Sequence, residues 1–172
     1  MNYSSALIVG AGSGLSASLA RAFAKIGMKV ALAARTVEKL EPLARETKAT
    51  IFVCDATRHA DVERLFIELD GAAATPDVVV FNASYRVRGP LAELDPREVE
   101  KSIHVSAFAG FLVAQAAVRR MLPRKHGAIL FTGASASVKG YAQSAPFAMG
   151  KFALRGLAQS MMKLLVPDLK RS

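Results

Sequence analysis

Short apolar runs alternate with longer stretches of helical periodicity along almost the whole chain. Ala6-Leu7-Ile8-Val9 is an apolar run that ends in glycines, and Leu15 to Ile26 then repeats its apolar residues at helical spacing. Lys29 to Ala34 predicts a second strand, followed by a helix over Val37 to Thr47. Thr50 to Val53 predicts a third strand, and Asp61 to Leu69 returns to helical spacing. Asp77 to Phe81 is the fourth strand. Asp95 as N-cap, with Pro96 at the first helical position, opens a long helix that runs to the region of Met121. Gly127 to Thr132 gives a fifth strand and Ser144 to Leu165 a last helix. Strands that are apolar throughout, rather than at alternate positions, belong to a sheet buried on both faces. With short connections this order predicts an α/β fold: a doubly wound parallel sheet with helices on both faces, in a single domain over residues 1–172.

Composition narrows the picture. Hydrophobic residues make up 52% of the 172, enough for one buried core. The longest apolar stretch, Val105 to Val118, stops at Arg119-Arg120 and is too short to span a bilayer, so it reads as a buried helix and not a membrane anchor. No basic segment followed by a long apolar stretch marks a signal peptide at the start. Cys54, the one cysteine, sits in an apolar run and excludes an intramolecular disulfide; a reducing cytoplasm is the expected compartment. The net charge of +9 raises nucleic acid or anionic membrane as partners. The densest basic cluster, Arg119, Arg120, Arg124, Lys125 and His126, carries no interleaved aromatics and falls where a helix ends, where cations favour the helix dipole. A solvated helix end is the preferred reading over a nucleic-acid surface.

Ligands of doubly wound sheets bind beyond the carboxyl ends of the strands, so chemistry is sought in the loops after each strand. The first, Gly10-Ala11-Gly12-Ser13-Gly14, joins a strand to a helix beginning at Leu15. Glycines there permit a tight turn and let the backbone approach a pyrophosphate, while the helix N-terminus supplies N–H groups and positive dipole. A glycine-rich turn is on its own a weak signal, but its place between strand and helix favours a dinucleotide. The second strand ends Ala33-Ala34-Arg35-Thr36. An acidic residue there would bond the ribose 2′-hydroxyl of NAD; a guanidinium instead suits a 2′-phosphate, through charge-assisted bonds of roughly 1.5–3 kcal/mol each. NADP(H) is therefore favoured over NAD(H), against the plainer reading of a surface arginine before a helix. Asp55-Ala56 follows the third strand and Asn82-Ala83-Ser84 the fourth.

Taken together, these loops resemble the short-chain dehydrogenase/reductase family, over essentially the whole chain. The resemblance implies a Rossmann-like three-layer sandwich, with Asp55 contacting adenine and Asn82-Ala83-Ser84 lining the cofactor cleft. Two departures are mild: Ser16 replaces the third glycine of the phosphate loop, and the Asn-Ala-Gly turn reads Asn-Ala-Ser. The family's chemistry is hydride transfer between nicotinamide and a small-molecule carbonyl or alcohol, and the set calls for no metal. A tyrosine moves the proton, and a lysine four residues later lowers its pKa and holds the ribose. A serine polarises the carbonyl, and an asparagine in the long helix supports a relay water.

Here the lysine is Lys151, but the tyrosine position is Phe147 and the asparagine position Ser106. Ungapped counting puts Ala134 at the serine position, with Ser135 one residue away and Ser137 three away. A small loop shift restores that hydroxyl, whereas no shift makes phenylalanine a proton donor. Tyr141, which precedes the last helix, is the best-placed substitute acid; Tyr85 and His104 are the others. Family members continue beyond this helix with a sixth strand, a substrate-covering segment and a seventh strand. This sequence stops at Val166 to Ser172, so the resemblance implies a fold lacking those last strands, with the fifth at an edge. The apolar last helix and the retained long helix imply a homo-oligomer built on that pair. Two functional expectations stand: a degenerate NADP(H) oxidoreductase, or a non-catalytic NADP(H)-binding sensor or scaffold.

Overall fold

The strands β1 (Ser5–Val9), β2 (Lys29–Ala34), β3 (Thr50–Val53), β4 (Val78–Phe81) and β5 (Ala128–Phe131) form one parallel sheet in the order β3-β2-β1-β4-β5. The order reverses between β1 and β4, which makes the doubly wound crevice. This computed structural model describes residues 2–165; the terminal segment 166–172 lies outside them, as do the side chains from 163.

Alternate strand residues feed two cores, because successive side chains leave opposite faces of a sheet. Leu7, Val9, Ala31, Ala33, Val79 and Phe81 pack beneath α3 (His59–Gly71) and α5 (Ala109–Arg124). Ala6, Ile8, Val30, Leu32, Val78 and Val80 face α1 (Leu15–Lys25) and α2 (Glu41–Thr47). At the β5 edge the covering on the second face runs out among the described residues, and Leu130 is 48% exposed. On the first face, β5 and the two helices beside it, α5 and α6 (Ala145–Leu165), enclose a mainly apolar groove.

The long helix starts as the sequence predicts. The Asp95 carboxylate accepts from Arg97 N at 2.9 Å, and Pro96 occupies the first turn. It then runs from α4 (Pro96–Ile103) through a π turn at His104–Phe108 into α5, 29 residues in all. By length and composition that helix is sufficient to cross a membrane, which corrects the expectation drawn from the apolar run alone: the run omits the flanking helical turns. Its apolar face is nonetheless a core face, with Ala109, Leu112, Val113, Ala116 and Ala117 buried against the sheet and α3. Arg119, Arg120 and Arg124 meet Glu63, Asp70 and Asp77, so most of the basic cluster is drawn into helix and sheet packing.

Candidate functional site

Gly10 ends β1 in the left-handed region, at φ +80°. A Cβ there would stand 2.4 Å from Ala83 N, so only glycine lets the loop after β1 touch the loop after β4. The departure at Ser16 acquires a purpose from this contact. Ser16 is buried, its Oγ donates to Gly10 O at 3.2 Å, and it accepts from Asn82 Nδ2 at 2.8 Å. The hydroxyl pins the two loops together where the family has a glycine.

Gly10 and Ala11 donate to Ala33 O, but no backbone carbonyl among the described residues receives the N–H of Gly12 or Ser13. The N-terminus of α1 has no side-chain cap and no acid in its first turn. Gly12 and Gly14 face open space, and Ser13, Gly14 and Leu15 are exposed at the same helix end. Uncapped N–H groups, dipole and clear space fit a phosphate.

Beside this end lies a cleft of about 310 Å³, lined by Arg35, Asp55, Ala56, Asn82, Ala83 and Ser84 among others. Every loop that sequence reasoning singled out for a dinucleotide beyond the helix end thus meets in one cavity. Arg35 makes no ion pair among the described residues, which leaves its guanidinium open to a phosphate. One oxygen of Asp55 is held by Thr57 N and Oγ1 at 3.0 and 2.7 Å. Cys54 lies in the cleft wall, where burial pushes its thiol pKa up to about 11; it is an inert wall residue at neutral pH.

Lys151 and Phe147 share one face of α6, as four-residue spacing dictates. Both are buried, and the amine sits 5.7 Å from the ring centroid. Lys151 Nζ donates to Thr132 O at 2.7 Å, at the carboxyl end of β5. Burial first, and the nearby Arg86 charge second, hold its pKa below the usual lysine value. Arg86 itself lies over the Phe147 ring, 4.3 Å from the centroid. No hydroxyl among the described residues hydrogen-bonds Lys151.

The three candidate serines, two near the serine position and one at the asparagine position, separate cleanly. Ser135 lines a second cavity of about 360 Å³ with Ala134, Phe147 and Tyr141. Ser137 is buried, and its Oγ accepts from Ala134 N. Ser106 lies in the π turn, fully buried against Gly150, where an added Cβ would come within 2.7 Å of its own. Its Oγ accepts from Tyr85 N at 3.3 Å, which ties it to the loop after β4.

The substitute acids separate too. The Tyr85 hydroxyl is committed to Glu98 at 2.6 Å and receives Lys101 Nζ at 3.2 Å. His104 stacks on Phe108 on the exposed side of the helix. Tyr141 remains at the Phe147 cavity, 44% exposed. Sequence reasoning missed Arg86 and Arg88, which line the same cavity; their place in the loop after β4, just beyond Asn82-Ala83-Ser84, was the available signal.

Comparison with known proteins bears on the family and the fold. The family model described as short chain dehydrogenase matches residues 4–168. A short chain aldehyde dehydrogenase of Euphorbia lathyris is 30% identical over 91% of the chain, which spans 56% of that relative's length. A short-chain dehydrogenase structure from Rhodopseudomonas palustris is 35% identical with a TM-score of 0.87, over 95% of this chain and 79% of that one. A metagenomic short-chain oxidoreductase solved in complex with NADP is 29% identical with a TM-score of 0.91, covering 95% and 77%. The chain belongs to the short-chain dehydrogenase/reductase family, a family of oxidoreductases.

Proposed function

We propose that this protein is an NADP(H)-dependent oxidoreductase acting on a carbonyl or alcohol, with a catalytic site that has lost its phenol. The observation that carries the reading is Lys151, a buried amine held at the carboxyl end of β5, on the rim that also presents Arg35 and the α1 N-terminus. Burial of an ammonium without a carboxylate is unfavourable, and a function at the ribose and the reacting carbon accounts for it.

The N–H groups of Gly12 and Ser13 with the α1 dipole would hold the pyrophosphate, Arg35 the 2′-phosphate, and Asp55 the adenine. Asn82, Ala83 and Ser84 would bound the cleft, and Lys151 the nicotinamide ribose. When bound, the cofactor supplies a hydride to a carbonyl carbon or accepts one from an alcohol. Lys151 and Arg86 place positive charge near the oxygen on which negative charge develops. Ser135 offers a hydroxyl to the same oxygen. Phe147 supplies no proton, so the proton is exchanged with water through the open cavity. A general acid contributes typically about 10²–10⁴-fold, so turnover is slow by that factor.

Exposed Phe108 and Phe111 on the long helix, with Met149 and Phe152 on α6, favour a homo-oligomer through that pair of helices. The free Cys54 thiol suits the cytoplasm. A steady-state screen of NADPH with varied carbonyls tests the proposal: slow turnover supports it, and saturable NADPH binding with none anywhere defeats it. That second outcome is the one expected of a non-catalytic NADP(H)-binding module. The observation favouring such a module is the Lys151 amine, whose hydrogen-bond partner is a backbone carbonyl and not a hydroxyl.

A further inference from the structure

The second cavity carries a pair of charges of which the oxidoreductase reading uses only Arg86. Arg86 and Arg88 both line it, and no aspartate or glutamate does. Neither arginine meets a carboxylate among the described residues, whereas Arg64, Arg119, Arg120 and Arg124 along α3 and α5 each do. The remaining walls are polar at Ser135, Tyr141 and Gln143, with the Phe147 ring at the base.

The two cations do not hang on a loose loop. Between them and the cofactor cleft stands Tyr85, whose carbonyl accepts from Ser102 Oγ at 2.7 Å and whose N–H donates to Ser106 Oγ. Its hydroxyl is tied to Glu98. On the far side Gly89 N donates to Gln143 O at 3.2 Å, which binds the loop to the opposite wall of the cavity. Both ends of the arginine-bearing segment are therefore fixed. Arg86 is held further by the Phe147 ring beneath it, and a guanidinium on a fixed segment recognises a carboxylate better than a mobile surface charge does.

Arg86 also ties the anion site to the position of the chemistry. It rests on the ring at the proton-donor position, so a carboxylate gripped there stands beside the reacting centre that the oxidoreductase reading assigns to position 147. We infer that the substrate is a small oxo acid or hydroxy acid, its carboxylate clamped by Arg86 and Arg88 over Phe147. This rests on the oxidoreductase reading for its chemistry, but the clamp is a binding site that reads out without turnover.

The test uses the full chain saturated with NADP⁺ and two unreactive probes, oxamate and its neutral ethyl ester, titrated by calorimetry. Oxamate should bind at least about tenfold tighter than the ester, the value of one charge-assisted hydrogen bond. Arg86→Gln and Arg88→Gln should each remove that discrimination while NADPH affinity holds, and Arg86→Lys should restore part of it. Equal binding of the two probes, or discrimination that survives both glutamine variants, overturns the inference. A parallel arm compares NADPH oxidation with 2-oxobutanoate and butanone. Turnover of butanone alongside equal probe binding overturns the clamp and leaves the oxidoreductase reading intact. Absence of all turnover with oxamate still preferred removes the reading and leaves the clamp standing.

Discussion

Returning the lost hydroxyl, by Phe147→Tyr, is the sharpest perturbation the site offers. The ring already lies on the same helical face as Lys151, with its centroid 5.7 Å from Nζ, and it borders a cavity of about 360 Å³. The new phenol is therefore carried on a ring that lines this cavity, beside an amine and under the Arg86 guanidinium, where neighbouring positive charge lowers a phenol's pKa. A satisfied hydroxyl changes stability by no more than about 1 kcal/mol, so the fold tolerates it. A positioned acid is worth about 10²–10⁴-fold, or about 3–5 kcal/mol of barrier. The variant should oxidise NADPH with a reducible carbonyl about 10²-fold faster than the native chain, or more, at unchanged NADPH affinity. Its rate should fall at alkaline pH as the phenol ionises, a limb the native chain lacks. Adding Lys151→Met should erase the gain. A folded variant that binds NADPH and reduces every carbonyl no faster than the native chain refutes the assignment of position 147.

Two further perturbations address the framework. Gly10→Ala forces a Cβ to within 2.4 Å of Ala83 N at positive φ, so it should destabilise the fold by at least about 2 kcal/mol; an unchanged melting temperature would contradict the loop contact. Asp77 is buried, which by itself raises its pKa, yet bonds from Ser4 and the charges of Arg124 and His126 prevail and leave it lowered. Its stabilising contribution is therefore complete above the ordinary carboxylate value of about 3.9 and is lost as pH falls through the lower folded value. Asp77→Asn should destabilise by about 2–3 kcal/mol at neutral pH and flatten that acid-side slope in thermal melts; a slope equal to the native one would show that Asp77 is not the group responsible.

The strands and the meeting of their following loops in one crevice were legible because burial on both faces imposes continuous apolar runs, and because the ends of parallel strands converge. Asp95-Pro96 announced its helix by local chemistry alone. What the sequence concealed was long-range. The π turn at His104–Phe108 carries no residue signature, and it is what turns Ser106 towards Tyr85 and Gly150. Ser16 looked like a weakened glycine loop, yet its hydroxyl joins residues 66 apart in the chain. Arg86 reaches Phe147 across some sixty positions, a contact no local pattern encodes. The helix from Val37 to Thr47 began instead as a 3₁₀ turn at Glu38–Leu40, with Pro42 in the first turn of the α-helix that follows.

The central claim is that a phosphorylated dinucleotide lies across the carboxyl ends of the strands, with its 2′-phosphate on Arg35. Calorimetric titration of NADPH and NADH into the native chain and into Arg35→Asp tests it directly. The account predicts tighter NADPH binding by the native chain and a loss of about 10- to 100-fold in that preference on substitution, the worth of one charge-assisted contact. An unchanged ratio of the two affinities, or no binding of either nucleotide, would contradict it.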